Sequence, residues 1–284
     1  MSRSDTALPI VLVPVGTDEN ALDACLAALE AGPRAGRGGG GAAAARAGPR
    51  GLATPPRWMT ATRLQAAHTR RTAAIGEARH LDEALRACGG EDVAVLASDA
   101  RPAPGWLARL AACLAADAGI ATATPWCNAG EVAAWPRIGE IVPVSQPLPV
   151  LAEACAALPA VVPVLPAAVS HAVVLRGSAR VQAGGLDAAS YRSWAAALTD
   201  LSLRMAGFGG RSVLCPATFV VREVESATRE GDMDALAARW PAWHARIADS
   251  LMHDPLRALR EQLAAHLARL QHLPPQPDLF AGAS

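Results

Sequence analysis

Apolar residues in this chain fall into short unbroken runs, separated by stretches where they recur every three or four positions. The first run, Leu8 to Val15 (LPIVLVPV), is bounded by proline and then Gly16, as in a strand buried on both faces of a parallel sheet. Thr17 or Asp18 can cap the helix that follows, DENALDACLAALEAG. Its Leu22, Cys25, Leu26 and Leu29 share one face, and Gly32-Pro33 end it. A helix over Glu77 to Cys88 closes on Gly89-Gly90. EDVAVLASDA then predicts a second buried strand ending at Ser98-Asp99, PGWLARLAACLAAD a helix with Pro104 near its start, and GIATATP a third strand. Alternation of this kind predicts an α/β fold with a mostly parallel central sheet flanked by helices.

The pattern breaks twice. Gly32 to Pro56 (GPRAGRGGGGAAAARAGPRGLATPP) has no apolar periodicity and is expected to be a flexible loop or a degraded element. Trp126 to Pro166 is proline-rich and irregular, with a helix expected near Leu148 to Ala157. SHAVVLRGSARVQAGGLD then reads as strand, short helix and turn, WAAALTDLSLRMAGFG as a helix stopped by glycine, and RSVLCPATFVVREVES as one or two closing strands. From Asp234 the chain turns helical. Trp243, Ile247 and Leu251 share a face, Pro255 interrupts, and Leu256, Leu259, Leu263, Leu267 and Leu270 form a stripe that is either core or a partner surface. The expected division is 1–230 for the α/β domain, including the Gly/Ala-rich segment at 32–56, and 231–284 for a helical extension.

Composition narrows the function classes. The 26 basic residues are all arginine and balance 26 acidic ones, so net charge gives no footprint for nucleic acid or an anionic membrane. No apolar stretch reaches the roughly 20 residues of a transmembrane helix, and the opening run is too short and proline-punctuated for a signal peptide. A cytoplasmic location follows, or one peripheral to the inner membrane. The six cysteines show no zinc spacing and mostly lie in apolar runs, as buried free thiols do. No phosphate loop and no G-x-S-x-G elbow occurs.

Two carboxylates stand out. Asp99 follows a buried strand, where ligands of open α/β sheets bind, and a carboxylate there suits Mg²⁺ or Mn²⁺ against a diphosphate. An Asx turn or helix cap explains it equally well. Asp200 flanks the apolar stripe of its helix one turn before Arg204. It is either a surface i,i+4 ion pair or a general base held near a substrate hydroxyl.

Taken in order, several segments resemble glycosyltransferase family 2, the nucleotide-sugar enzymes of GT-A fold. IVLVPVGTDENALDACLAAL is similar to that family's first strand, turn and helix, and VAVLASDARPAPGWLARL to the segment with its metal-binding aspartate. GIATATPWCNAGEVAAWP, VQAGGLDAASY, ALTDLSLRMAGFGGRSVLCPATFVV and MHDPLRALREQL resemble later family segments, the last seen in bacterial members linked to surface polysaccharide. The match is colinear over roughly residues 8 to 262. The resemblance implies that Pro14 and Gly16 line the nucleotide pocket and that Asp99 holds the diphosphate through Mg²⁺ or Mn²⁺. It places Asn128 and Trp135 beside the sugar or acceptor, and makes Asp200 the base for inverting transfer to a hydroxyl of a glycan or lipid-linked acceptor.

This chain departs from the family pattern at three places. The family's second strand bears an acid for the nucleotide base, where this chain has GGGGAAAARAG. Ala197-Leu198-Thr199 replaces acidic or asparagine residues before Asp200. Val221-Arg222 stands where a metal-binding histidine is often found, and Arg222 is a cation that can neutralise a diphosphate directly. The second reading is therefore a catalytically inactive pseudo-glycosyltransferase that binds or scaffolds. Its expected partner is a polysaccharide-assembly complex, or a second copy of the chain through the leucine stripe.

Overall fold

A computed structural model describes residues 8–15, 19–31, 42–47, 64, 66–71, 75–130, 132–224 and 228–272. Among these, the strands are β1 (Ile10–Val15), β2 (Ala42–Ala47), β3 (Ala66–Arg71), β4 (Val93–Leu96), β5 (Arg101–Pro102), β6 (Ile120–Cys127), β7 (Ala172–Leu175) and β8 (Arg211–Val221). The helices are α1 (Glu19–Glu30), α2 (Glu77–Ala87), α3 (Trp106–Ala116), α4 (Leu148–Ala156), α5 (Gly177–Gln182), α6 (Trp194–Gly207), α7 (Asp232–Arg239), α8 (Trp243–His253) and α9 (Arg257–His272). The strands join one sheet in the order β3-β2-β1-β4-β7-β6-β8-β5. Pairings β1–β2, β1–β4, β2–β3 and β6–β8 are parallel, while β7 runs antiparallel to β4 and β6, and β5 antiparallel to β8. The carboxyl ends of β1, β4, β6 and β8 therefore lie along a single edge.

Continuous apolar runs became the central strands because both of their faces are covered. Every residue of β4, β6 and β7 is buried. One core cluster joins Leu12, Val95, Val174 and Ile120 to Leu26, Leu85 and Leu201 from helices α1, α2 and α6. A second joins Trp126, Leu214 and Phe219 to α4 and α9. Near their ends β6 and β8 slip register, Pro125 facing Cys215 while Trp126 faces Phe219. Pro125 and Pro216 lack the N–H a ladder needs, so the pair bulges there, and such a bulge bends the strand and re-aims the residues beyond it. The guanidinium of Arg109 donates to the freed carbonyl of Ala217 at 2.6 Å and to that of Ala152 at 2.8 Å.

Two expectations need correction, and one strand is not foreseen. Ala42–Ala47, expected to be loop or degraded element, is a strand in parallel register with β1 and β3 on either side. Alanine has little strand preference of its own, so ladder hydrogen bonds to two neighbours decide its conformation. The rest of the Gly/Ala-rich stretch lies outside the described residues. β3, within AAHTRR, carries no apolar alternation, and the pattern of the sequence does not predict it. Finally, β4 stops at Leu96, and Ser98-Asp99 occupy a turn closed by the Ala100 N–H donating to the Ala97 carbonyl at 3.0 Å.

The leucine stripe is core. Leu256, Leu259, Leu263 and Leu267 are buried in the second cluster with Leu151 and Cys155 of α4, so this face is not available for a second copy of the chain. Among the described residues no helix is long and apolar enough to cross a membrane.

Leu263 is fully buried. Leu263→Ala is expected to lower unfolding free energy by about 2–5 kcal/mol, while Gln262→Ala on the exposed side of α9 changes it by less than about 0.5 kcal/mol. Urea midpoints of the two variants measure the contrast.

Candidate functional site

Residues immediately after β4, β6 and β8 meet at the common carboxyl edge of the sheet, where ligands of open α/β folds are bound. Asp99 comes from the turn after β4, Asn128 follows β6 and Arg222 follows β8. The Nε of Arg222 donates to both carboxylate oxygens of Asp99, at 3.1 and 3.0 Å, and its Nη2 to Oδ1 at 2.7 Å. The side chains keep 6% (Arg222) and 15% (Asp99) of their exposure. Asp99 therefore neither caps α3, which has no side-chain cap, nor stands free as a ligand.

Asn128 fixes this pair without facing a ligand. Its Oδ1 accepts from the Arg222 backbone N–H at 2.7 Å, and its Nδ2 donates to the carbonyls of Arg222 at 2.8 Å and Val142 at 2.9 Å. Its amide is thus committed to backbone and is almost fully buried. Trp135 is also drawn into the interior: it packs edge-on against Phe219 at 6.0 Å, and its indole N–H donates to the Arg260 carbonyl at 3.2 Å. The contacts expected of Asn128 and Trp135 with a sugar or acceptor are corrected accordingly. Pro14 lies near the carboxyl end of β1, opposite Ala45 in register and half-buried. Gly16 lies outside the described residues.

The donor set does not fit Mg²⁺ or Mn²⁺ at Asp99. Both oxygens of that carboxylate accept from a guanidinium, and among the described residues no group of three His, Cys, Asp or Glu side chains could hold an ion. The thiols beside Asp99 are no substitute. Burial, reinforced by the Asp99 charge, pushes Cys25 up to about 12. Burial also pushes Cys127 up to about 12, although the Ala129 backbone hydrogen bond and Arg222 act in the opposite direction. Both remain protonated at neutral pH.

Asp200 is elsewhere and sealed. It is 0% exposed, its Oδ1 accepts from the Trp240 indole at 2.9 Å and the Tyr191 hydroxyl at 3.4 Å, and its Oδ2 accepts from Arg204 Nε at 2.8 Å. Arg239 adds an ion pair at 3.3 Å. The i,i+4 pair with Arg204 exists, but it is buried rather than superficial. Arg204 also donates to the carbonyl of Gly185 at 2.6 Å, tying α6 to the Gly184-Gly185 turn. A general base needs an oxygen that a substrate hydroxyl can reach, and this carboxylate offers none in this arrangement. Trp240 and Arg239 come from α7 and its C-terminal end, some 40 positions downstream, and no local pattern announces them.

Beside α6 lies a cavity of about 160 Å³, lined by Gly130, Ala168, Ser170, Ala196 and Thr199 among others, with no carboxylate among the described residues of its wall. A larger cavity of about 420 Å³, with Arg211, Arg246, Asp249 and His253 in its wall, lies beside the start of β8 at the opposite end of the sheet. Neither Asp99 nor Arg222 reaches it, so volume alone does not locate the chemistry. His171, just before β7, has no role that the sequence announces. Its imidazole lies at hydrogen-bond distance from the Pro125 carbonyl, 2.8 Å from Nε2, so the proton belongs on Nε2. Burial pushes its pKa down to about 3, with the Pro125 hydrogen bond opposing and the Arg222 charge assisting.

No protein-family model and no curated protein matches this chain. Solved structures do. GalNAc-T7 with UDP, GalNAc and Mn²⁺ superposes with a TM-score of 0.61 at 11% identity, covering 92% of this chain and 54% of that one. The mannosyltransferase PcManGT from Pyrobaculum calidifontis, with GDP-Man and Mn²⁺, gives 0.55 at 17% identity, covering 97% and 79%. S. aureus TarS 1-349 with UDP-GlcNAc gives 0.52 at 14% identity, covering 91% and 71%. The chain thus spans about half the length of the first of these. It has the GT-A-type fold of these glycosyltransferase structures.

Two measurements test this geometry. Removing the Asp200 charge strands the Arg204 guanidinium, so Asp200→Ala is expected to cost about 3–5 kcal/mol in urea unfolding, the exposed Arg239 adding little. A full loss of turnover with unchanged stability would instead mark Asp200 as a base. For His171, an unfolded pKa near 6.5 exceeds the folded value of about 3, so the unfolded state takes up the proton first. The stability it contributes is present above pH 6.5 and falls by up to about 1.4 kcal/mol per pH unit on acidification towards 3. His171→Gln should flatten that slope in urea midpoints measured from about pH 4 to 7.

Proposed function

We propose that this chain is a nucleotide-sugar glycosyltransferase of GT-A type, a divergent member of family 2. The observation that carries the reading is the convergence of Asp99 and Arg222, 123 residues apart, on the carboxyl edge of a GT-A-type sheet. The donor would lie at that edge, its diphosphate against Arg222 and its nucleotide along the end of β1 near Pro14. A sugar would pass to a hydroxyl of a glycan or lipid-linked acceptor, with inversion, as in surface polysaccharide synthesis. The acceptor would enter by the cavity beside α6. Residues 231–284 would form a helical extension that stabilises α6 through Trp240, and the work would be done in the cytoplasm or at the inner membrane's inner face.

A second reading keeps donor binding and removes transfer. The sealing of Asp200 and the lack of a carboxylate among the described residues of the cavity wall favour it. On this reading the protein binds a nucleotide sugar within a polysaccharide-assembly complex.

Calorimetry with UDP-, GDP- and dTDP-sugars is expected to show saturable binding of one nucleotide class. Nucleoside diphosphate release then separates the readings: release above the spontaneous rate supports the transferase, while binding without release supports the non-catalytic protein. Failure to bind all three classes overturns both.

A further inference from the structure

We infer that Arg222 takes the place of a divalent cation in this site, so that a nucleoside diphosphate binds without metal. This rests on the donor-site reading above and adds the group that neutralises the diphosphate.

A metal ion and a guanidinium cannot share one carboxylate in the geometry seen here. A dication held by Asp99 needs a lone pair of that carboxylate directed at it. Arg222 holds both oxygens at 2.7 to 3.1 Å instead. To admit the ion the guanidinium would have to leave, giving up a largely desolvated pair and bringing a second positive charge against its own. The arginine is not placed to leave. Its N–H and C=O are both bonded to the amide of Asn128, at 2.7 and 2.8 Å, and the preceding residue, Val221, pairs in register with Arg101 of β5. The backbone is therefore clamped on two sides.

Among the described residues, further ligands are also lacking. A hard dication prefers several oxygen ligands. The groups that Asp99 is seen to act on are two protonated thiols, Cys25 and Cys127, and the Arg222 guanidinium, none of them an oxygen ligand. By contrast, a guanidinium never loses its charge and can balance a diphosphate electrostatically. With no lysine anywhere in the sequence, arginine is the only permanently charged side-chain cation this chain can offer a diphosphate. Asp99 then acts as the residue that orients the guanidinium rather than as a metal ligand, and Asn128 as the clamp that positions it.

The two assignments make opposite predictions for the two partners. If Asp99 held a metal, Asp99→Asn would abolish binding, and EDTA would do the same to the wild type. If Arg222 is the cation, EDTA leaves affinity for UDP or GDP unchanged within about twofold, and Asp99→Asn, which loosens the guanidinium, weakens binding without making it depend on metal. Arg222→Met then weakens binding by about tenfold or more, with Arg222→Lys recovering part of it. Thermal melts of each variant confirm that it is folded. Titration of MnCl₂ alone into wild-type protein, followed by the free Mn²⁺ electron paramagnetic resonance signal, is expected to show no uptake. Stoichiometric uptake of Mn²⁺, or diphosphate binding that appears only with Mn²⁺, overturns the inference even if every variant unfolds. Absence of diphosphate binding with and without Mn²⁺ overturns the donor-site reading and the phosphate role of Arg222 together. The manganese titration still decides separately whether the site excludes metal.

Discussion

The parallel pairing of β6 with β8 is the constraint on which the rest of this molecule depends. All of β6 is buried, and β8 is buried along nearly its whole length. Their two faces divide the interior: Ile120, Val213 and Cys215 belong to the cluster under α1, α2 and α6, while Trp126, Leu214 and Phe219 belong to the one under α4 and α9. Burial on both sides allows little freedom in register, since a one-residue slip would exchange the two faces. Near the ends of the pair, the proline-bearing bulge shifts that register. Beyond it the strands end side by side, and that is how Asn128 comes to hold the backbone of Arg222.

Charge is handled inside this protein by pairing rather than exposure. Asp99 with Arg222, Asp200 with Arg204 and Arg239, and Asp254 with Arg260 are each substantially buried at the carboxylate. Such pairs add little net stability over apolar packing, yet losing one partner is costly because the other remains charged and dry. Their effect is to fix geometry. The Asp200 group joins α6 to the Gly184-Gly185 turn and to the end of α7, and the Asp99 pair joins the turn after β4 to the end of β8. The same pairing that stiffens the site removes from it the carboxylates that a metal- and base-dependent reaction would use. At that edge Asp99 is occupied by the guanidinium of Arg222 instead.

Much of the architecture was legible in local pattern. The runs at Ile10–Val15, Val93–Leu96 and Ile120–Cys127 are almost entirely apolar, and the three-and-four spacing of α9 is clear in its leucines. β2 was not legible because six residues of alanine and arginine carry no periodicity, and only pairing on both sides makes them a strand. Asp99 was found because the end of a buried strand marks it. Its alternatives, turn or ligand, were resolved by a residue far along the chain.

The sequence by itself determined the order of most strands and helices, the α/β class, the leucine stripe and the position of Asp99 just beyond a buried apolar run. These follow from hydrophobic periodicity and turn chemistry, which act over a few residues. Only the tertiary structure decided that Asp99 and Arg222 pair, that Asn128 commits its amide to backbone, and that Asp200 is enclosed by Trp240 and Arg239. Whether a carboxylate is a ligand, a base or half of an ion pair depends on which charges approach it and how much water is excluded. Both are properties of residues brought together across about 40 to 120 positions, and neither is recorded in the neighbourhood of the residue itself.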